Sequence, residues 1–210
     1  MDPILQEIYE AILNGEAKAV ESRVQSAIQG GIDPKEILDQ GMVSAMAEVG
    51  LRFEIGEYYI PEMLISARAM QSGMAVLKPL LKEANVVTAG RVAVGTVKGD
   101  LHDIGKNLVS MLLEGAGFEI LDLGTDVAPE KFVAIADQVN VIALSALLTT
   151  TMMNMKTTIE ALKTAGKLAK VKVIIGGAPV TEAYAQLIGA DGYAADASRA
   201  VAVTKALVGK

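Results

Sequence analysis

Gly95-Thr-Val-Lys-Gly-Asp100-Leu-His102-Asp-Ile-Gly105-Lys-Asn-Leu-Val109 holds the sole histidine of 210 residues, set between two aspartates and followed by a glycine three positions on. Ahead of it, Arg91-Val-Ala-Val-Gly95 reads as a short buried strand, apolar and β-branched. Behind it, Gly105 to Gly115 reads as a helix with Leu108, Met111 and Leu112 on one face. His102 therefore belongs to the loop between the C-terminal end of a strand and the next helix, where open α/β sheets bind ligands. An imidazole beside carboxylates at such a place is a candidate metal ligand, since a carboxylate that holds one ring nitrogen makes the other more basic. The alternative is a histidine in a solvated loop. A zinc site is disfavoured by the absence of cysteine and of a second histidine. Gly105-Lys106 resembles the end of a phosphate loop, but Asp100 stands where the first glycine belongs and Asn107 where the hydroxyl belongs. A single protein imidazole suits a metal whose other ligands arrive with a cofactor.

From Arg91 onward, strand-like runs at 91–96, 118–122, 140–145, 171–175 and 192–194 alternate with helical patterns at 105–115, 129–138, 151–166, 180–188 and 197–208. Strict alternation predicts a parallel sheet covered on both faces. Five strands fit the flavodoxin-like order, with a crevice at the switch point between the first and third. His102 after the first strand, Ser145 ending the third and Gly176-Gly177 ending the fourth then share one rim.

Residues 1 to about 85 read as helix after helix. Ile4, Leu5, Ile8, Ile12 and Leu13 are spaced for one, and a second covers 17–28. Asp33-Pro34 opens a third as cap and first-turn proline, and a long fourth runs from Pro61 to about Glu83. Short glycine-containing turns between them predict an antiparallel four-helix bundle. Pro79 is expected to kink or end the last helix, and Ala84–Gly90 reads as the linker between domains 1–86 and 87–210. The ten methionines, at helical spacing, read as core filler rather than ligands.

Composition excludes several classes. Apolar residues make up 51% of the chain but are broken by glycine and charge at short intervals, and no run approaches the ~20 residues of a membrane span. Net charge is −6, aromatics are 4%, and no Lys/Arg cluster offers a nucleic-acid footprint. The N-terminus lacks a signal-peptide pattern and there is no disulfide framework, which fits a cytoplasmic location. No nucleophile or acid–base constellation is visible, so no residue is assigned as catalytic.

Asp100-Leu-His102-Asp-Ile-Gly105, then Ser145-Ala-Leu147, then Gly176-Gly177 resembles the DxHxxG…SxL…GG signature of cobalamin-binding domains, as in methionine synthase and in methanol, methylamine and O-demethylase corrinoid proteins. The gaps, 39 residues between Gly105 and Ser145 and 28 between Leu147 and Gly176, are close to the family's usual spacing. The resemblance implies that His102 replaces the cofactor's own benzimidazole base as axial ligand to the cobalamin cobalt. Asp100 then holds the other ring nitrogen, and the Thr151 hydroxyl continues the relay. Locally, Asp100 also reads as a turn or cap residue and Thr151 as a helix N-cap. Asp103 has no matched role and reads as a solvated cap. Ser145, Leu147 and Thr149 match the slot for the displaced nucleotide tail, whose alternative is a strand end with hydroxyls bonded to their own backbone. Gly176-Gly177 would close that slot, or form an ordinary strand-to-helix turn, and Tyr193 on the last strand would line it.

Val49-Gly-Leu-Arg-Phe53-Glu-Ile-Gly56-Glu-Tyr-Tyr-Ile60-Pro-Glu-Met-Leu64 resembles the helical cap of methyl-carrying corrinoid proteins, with Phe53 and Ile60 at the positions of apolar residues over the methyl group. Both also read as ordinary bundle core. The implied function is a methyl carrier that accepts a methyl group on Co(I) from a substrate:corrinoid methyltransferase. It presents methyl-Co(III) to a second methyltransferase whose acceptor is tetrahydrofolate or coenzyme M, with a reductive activation protein as a further partner. Such a cap must move during turnover, an expectation that fails if cap and cobalamin domain stay locked together. The sequence leaves open the methyl donor, the acceptor, the oligomeric state and the native corrinoid's own base. Rival readings are a cobalamin-binding regulator, a subunit of an adenosylcobalamin mutase and a plain nucleotide-binding flavodoxin-like domain.

Overall fold

A computed structural model describes residues 2–83 and 88–209, without the side chain of Lys82. The chain folds as two compact units, Met1–Thr88 with Gly115–Gly117, and Ala89–Glu114 with Phe118–Lys210. The expected linker at Ala84–Gly90 falls largely on residues 84–87, outside the described residues.

The first unit is helical. Asp2 caps α1 (Pro3–Leu13) by accepting from the Ile4 N–H, and α2 (Ala17–Gln29) follows. Asp33 caps α3 (Pro34–Glu36) by accepting from the Lys35 N–H. That short helix runs without a break through a π-helical stretch, Ile37–Val43, into α4 (Ser44–Glu54). Glu62 reaches back to the Tyr59 N–H at the start of α5 (Ile60–Glu83), a capping arrangement that sets where this helix begins. The longer helices turn an apolar stripe inward: Leu5, Ile8, Ile12, Val20, Val24, Met46, Val49, Met63 and Met70 are buried, as are Ile37 and Met42 of the π-helical stretch. The sequence expectation for Pro79 is corrected in part: α5 does not end there but continues to Glu83. A proline costs one i−4 hydrogen bond, and about five turns of α5 already precede it.

The second unit is a five-stranded sheet: β1 (Arg91–Val97), β2 (Glu119–Val127), β3 (Val141–Ser145), β4 (Lys172–Gly176) and β5 (Gly192–Ala194), all parallel in the order β2-β1-β3-β4-β5. Intervening segments supply α6 (Ile104–Gly115), α7 (Pro129–Ile135), α8 (Thr149–Thr164) and α9 (Glu182–Ile188), and α10 (Ala197–Leu207) closes the chain. On one face Phe132 of α7, Met155 and Leu162 of α8, and Ile188 of α9 pack against Ile142, Leu144, Val173 and Ile175 of the strands. Gly95 makes room for this core, because a Cβ there would lie 2.8 Å from the Phe132 ring.

Two boundaries differ from the sequence reading in ways that matter for the site. β2 runs five residues beyond the expected 122, to Val127, with register shifts against β1 at Gly95. α8 begins at Thr149, with Leu148 as its cap residue, so Thr151 lies in the first turn of the helix rather than capping it. Met153 departs from the reading of the methionines as core filler, since its side chain is exposed.

Candidate functional site at the C-terminal ends of β1, β3 and β4

Register brings Thr96 of β1 beside Ser145 of β3, and Ser145 beside Gly176 of β4, so the three expected motifs meet at one rim. At its centre is Asp100, which is fully buried. Its Oδ1 accepts from the His102 N–H (3.1 Å) and faces His102 Nδ1 (2.7 Å). Its Oδ2 accepts from the Leu147 N–H (2.8 Å) and the Thr151 hydroxyl (2.6 Å). Burial by itself would raise this carboxyl, but the bonds from Thr151, Leu147 and His102 outweigh it and hold Asp100 well below the usual carboxylate range. A carboxylate at that position makes Nδ1 the protonated ring nitrogen, leaving the Nε2 lone pair uncommitted on a side chain that is half exposed. Asp100 therefore holds its own turn, through the His102 N–H, and does more than that. It joins the first motif of the rim to the second and to the start of α8, through bonds to residues 47 and 51 positions away.

The His102 loop is braced from both sides. Thr96 Oγ1 donates to the His102 carbonyl (2.8 Å), and Asn154 Nδ2 of α8 donates to the Lys98 carbonyl (2.7 Å). From the end of β2, the Asp126 carboxylate accepts from the Gly99 N–H (2.7 Å), and the Asp126 N–H donates to the Asp100 carbonyl (2.9 Å). Thr96, Asp126 and Asn154 are absent from the sequence reading. The extension of β2 was the missing signal for Asp126, and nothing local marks Asn154. Asp103 precedes α6; its carboxylate takes the Asn107 side-chain amide at 3.2 Å and its carbonyl takes the Asn107 N–H at 2.7 Å.

Of the remaining expected residues, Ser145 is partly buried at the end of β3, and Leu147 and Thr149 are exposed. Tyr193 pairs with Ile175 on β5 and packs partly against the core. Gly176 and Gly177 answer to the fold itself. A Cβ at Gly177 would stand 1.9 Å from the Ala146 carbonyl oxygen with φ at +127°, and one at Gly176 would stand 2.9 Å from the Ala194 oxygen. Gly105 is different. It has no left-handed φ, and a Cβ there would meet nothing within 4 Å, so neither backbone nor packing demands glycine. Phe53 and Ile60 belong to the other unit, Phe53 partly buried on α4 and Ile60 50% exposed at the start of α5.

These features fit a corrinoid. Leu101 and Ile104 flank His102 and are 74% and 81% exposed, and Leu147 and Leu148 across the rim are also exposed. Large apolar side chains around a single polar nitrogen suit a wide, largely apolar ring with a metal at its centre. Among the described residues no group of three or more His, Cys, Asp or Glu could hold a metal ion, so His102 would act as one ligand beside those the ring brings. Among the same residues no helix is long and apolar enough to cross a membrane.

Comparison with known proteins points to the same class of cofactor. Two family models, each described as a B12 binding domain, match residues 90–202 and 4–78. The dimethylamine corrinoid protein of Methanosarcina barkeri is 45% identical, over 99% of this chain and 98% of its own length. Among solved structures, a cobalamin-binding protein from Desulfitobacterium hafniense DCB-2 aligns with a TM-score of 0.78 at 32% identity, covering 97% of this chain and 98% of its own. A chain of the methanol:cobalamin methyltransferase complex MtaBC from Methanosarcina barkeri aligns with a TM-score of 0.87 at 30% identity, covering 99% of this chain and 80% of its own.

Proposed function

The chain belongs to the corrinoid proteins built from B12 binding domains, and from that premise we propose that His102 Nε2 is the protein's ligand to cobalt, with Asp100 and Thr151 as its relay. One observation carries the reading: a fully buried carboxylate commits one oxygen to the histidine and the other to Thr151 and the Leu147 N–H. The protein is a corrinoid methyl carrier that works with a substrate:corrinoid methyltransferase. When bound, the corrinoid supplies a cobalt centre that takes up a methyl group and gives it away.

The chain's own residues do the rest. Asp100 fixes the imidazole tautomer, orients the ring and makes Nε2 a stronger donor. Thr151 and the Leu147 N–H keep that carboxylate ionised in a site without water contact. Gly105, open to solvent where a Cβ would stand, leaves space for the ring's approach. We assign Ser145, Leu147, Thr149, Gly176, Gly177 and Tyr193 to the slot for the nucleotide tail. Residues 87–210 act as the cobalamin-binding domain and residues 1–86 as a helical cap whose Phe53 and Ile60 shield the methyl group. A second methyltransferase, using tetrahydrofolate or coenzyme M, and a reductive activation protein complete the system, placed in the cytoplasm. The regulator and mutase readings are not favoured, because a full-length relative at 45% identity is a dimethylamine corrinoid protein.

That relative makes a methylamine the first donor to test. The cobalamin-loaded chain, reduced and mixed with dimethylamine and a dimethylamine methyltransferase, should release monomethylamine in proportion to the chain added. Methanol with its own methyltransferase should give little. No release with either donor would defeat the carrier reading.

A further inference from the structure

Asp126 stands in a conformation that needs explaining. Its φ is +52°, and among the described residues it is the sole non-glycine with a positive φ. An L-residue in the left-handed region costs energy, and Asp is among the few that tolerate it. Such a conformation persists where surrounding bonds over-determine it, and it gathers at functional sites. Here those bonds all run to one place. The Asp126 carboxylate takes the Gly99 N–H at 2.7 Å and its own N–H reaches the Asp100 carbonyl at 2.9 Å, so one residue grips the chain on both sides of the Asp100 Cα. Gly99 lies in the left-handed region too, at φ +79°, and without a Cβ it has little preference of its own to hold the turn. Asn154 secures the preceding carbonyl, that of Lys98, from the opposite side.

We propose that Asp126 is a positioning residue for the Asp100–His102 pair: by fixing Gly99 and Asp100 from the bulged end of β2, it aims the buried carboxylate at His102 Nδ1. Asp126 acts on His102 through its bonds to Gly99 and Asp100. The inference rests on the corrinoid reading above and adds to it a residue outside the signature motifs.

The test uses the full chain and cobalamin. Asp126→Gly removes the carboxylate and also the backbone strain, so it can fold where Asp126→Ala does not. Asp126→Asn keeps an acceptor oxygen and tolerates the left-handed region. Circular dichroism and thermal melting first confirm folding. Cobalamin affinity and the nitrogen hyperfine splitting in the EPR spectrum of bound cob(II)alamin are then compared with wild type and His102→Ala. Asp126→Gly should bind about tenfold more weakly, the low end for a ligand-orienting residue, and show a smaller histidine-ligated fraction, with Asp126→Asn close to wild type. A folded Asp126→Gly with wild-type affinity and splitting overturns the inference while the corrinoid reading stands. Equal loss in Asp126→Asn also contradicts it, since the acceptor would then not be what matters. A wild-type chain that retains no cobalamin overturns both.

Discussion

At the N-terminal ends of the strands the polar contacts are exposed ion pairs: Arg91 with Glu119 at 2.7 Å, Lys172 with Asp191 at 2.8 Å, and Asp137 with Lys167 and Lys170. At the C-terminal ends one buried carboxylate serves four donor groups, and partway along β2 Asp122 pairs with a buried lysine, Lys106, at 2.6 Å. Exposed pairs exchange protein partners for water at little cost, so they tune stability by small amounts. A buried hub has no such exchange. Removing it strands every group that pointed at it. The sheet is therefore tolerant at one end and rigid at the other, and the rigid end is where His102 is aimed.

The contrast is broken most severely at the C-terminal rim. Gly177→Ala should cost about 4 kcal/mol or leave no folded protein, because the new Cβ overlaps the Ala146 carbonyl and no flexible side chain can yield. Urea titration monitored by circular dichroism measures this. Asp100→Ala should follow at about 3 kcal/mol, as the Leu147 N–H and the Thr151 hydroxyl lose a charged acceptor.

The two members of the Lys106–Asp122 pair differ in exposure, Lys106 buried and Asp122 open to water. Asp122→Asn leaves a buried ammonium with neutral amide oxygens in place of its counter-charge and should cost about 1 kcal/mol at neutral pH, a figure reduced because Asp122 itself is exposed. Burial would raise the Asp122 carboxyl, but the bonds from Lys106 and the Gly124 N–H lower it overall. A carboxyl lowered in the folded state contributes stability above its unfolded value of about 3.9 and loses it as pH falls through the folded value. The gap between wild type and Asp122→Asn should thus be flat above about pH 5 and close below about pH 4. A gap that widens in acid would contradict the pairing. At the other end of the sheet, Arg91→Gln should move stability by no more than about 0.5 kcal/mol, and less in high salt. A larger effect there would erase the comparison.

Much of this architecture is legible in the sequence because it is periodic. The alternation after Arg91 fixes five strands, and the three motifs fall at strand ends. What periodicity does not carry is the reach between elements. Leu121-Asp-Leu-Gly-Thr-Asp126 looks like a polar turn, yet pairing with β1 continues through it by shifting register at Gly95, and this brings Asp126 to the His102 loop. Asn154 and the Thr96 hydroxyl act on backbone carbonyls, which leave no trace in spacing. Gly176-Gly177 was legible as a motif, while its internal reason, close approach to Ala146 and Ala194, needed coordinates. Pro79 misleads for the opposite reason: a local rule gives way to a helix already formed ahead of it.

The proposed role of His102, held by Asp100, is to ligate the corrinoid cobalt. Anaerobic reconstitution of the wild-type chain and of His102→Ala with cobalamin, compared by visible spectroscopy after gel filtration, tests it most directly. The wild-type chain should retain cobalamin with a histidine-ligated spectrum, and the variant's bound cobalamin should show a changed, unligated spectrum or be lost. Retention of cobalamin with identical spectra in both proteins would contradict it.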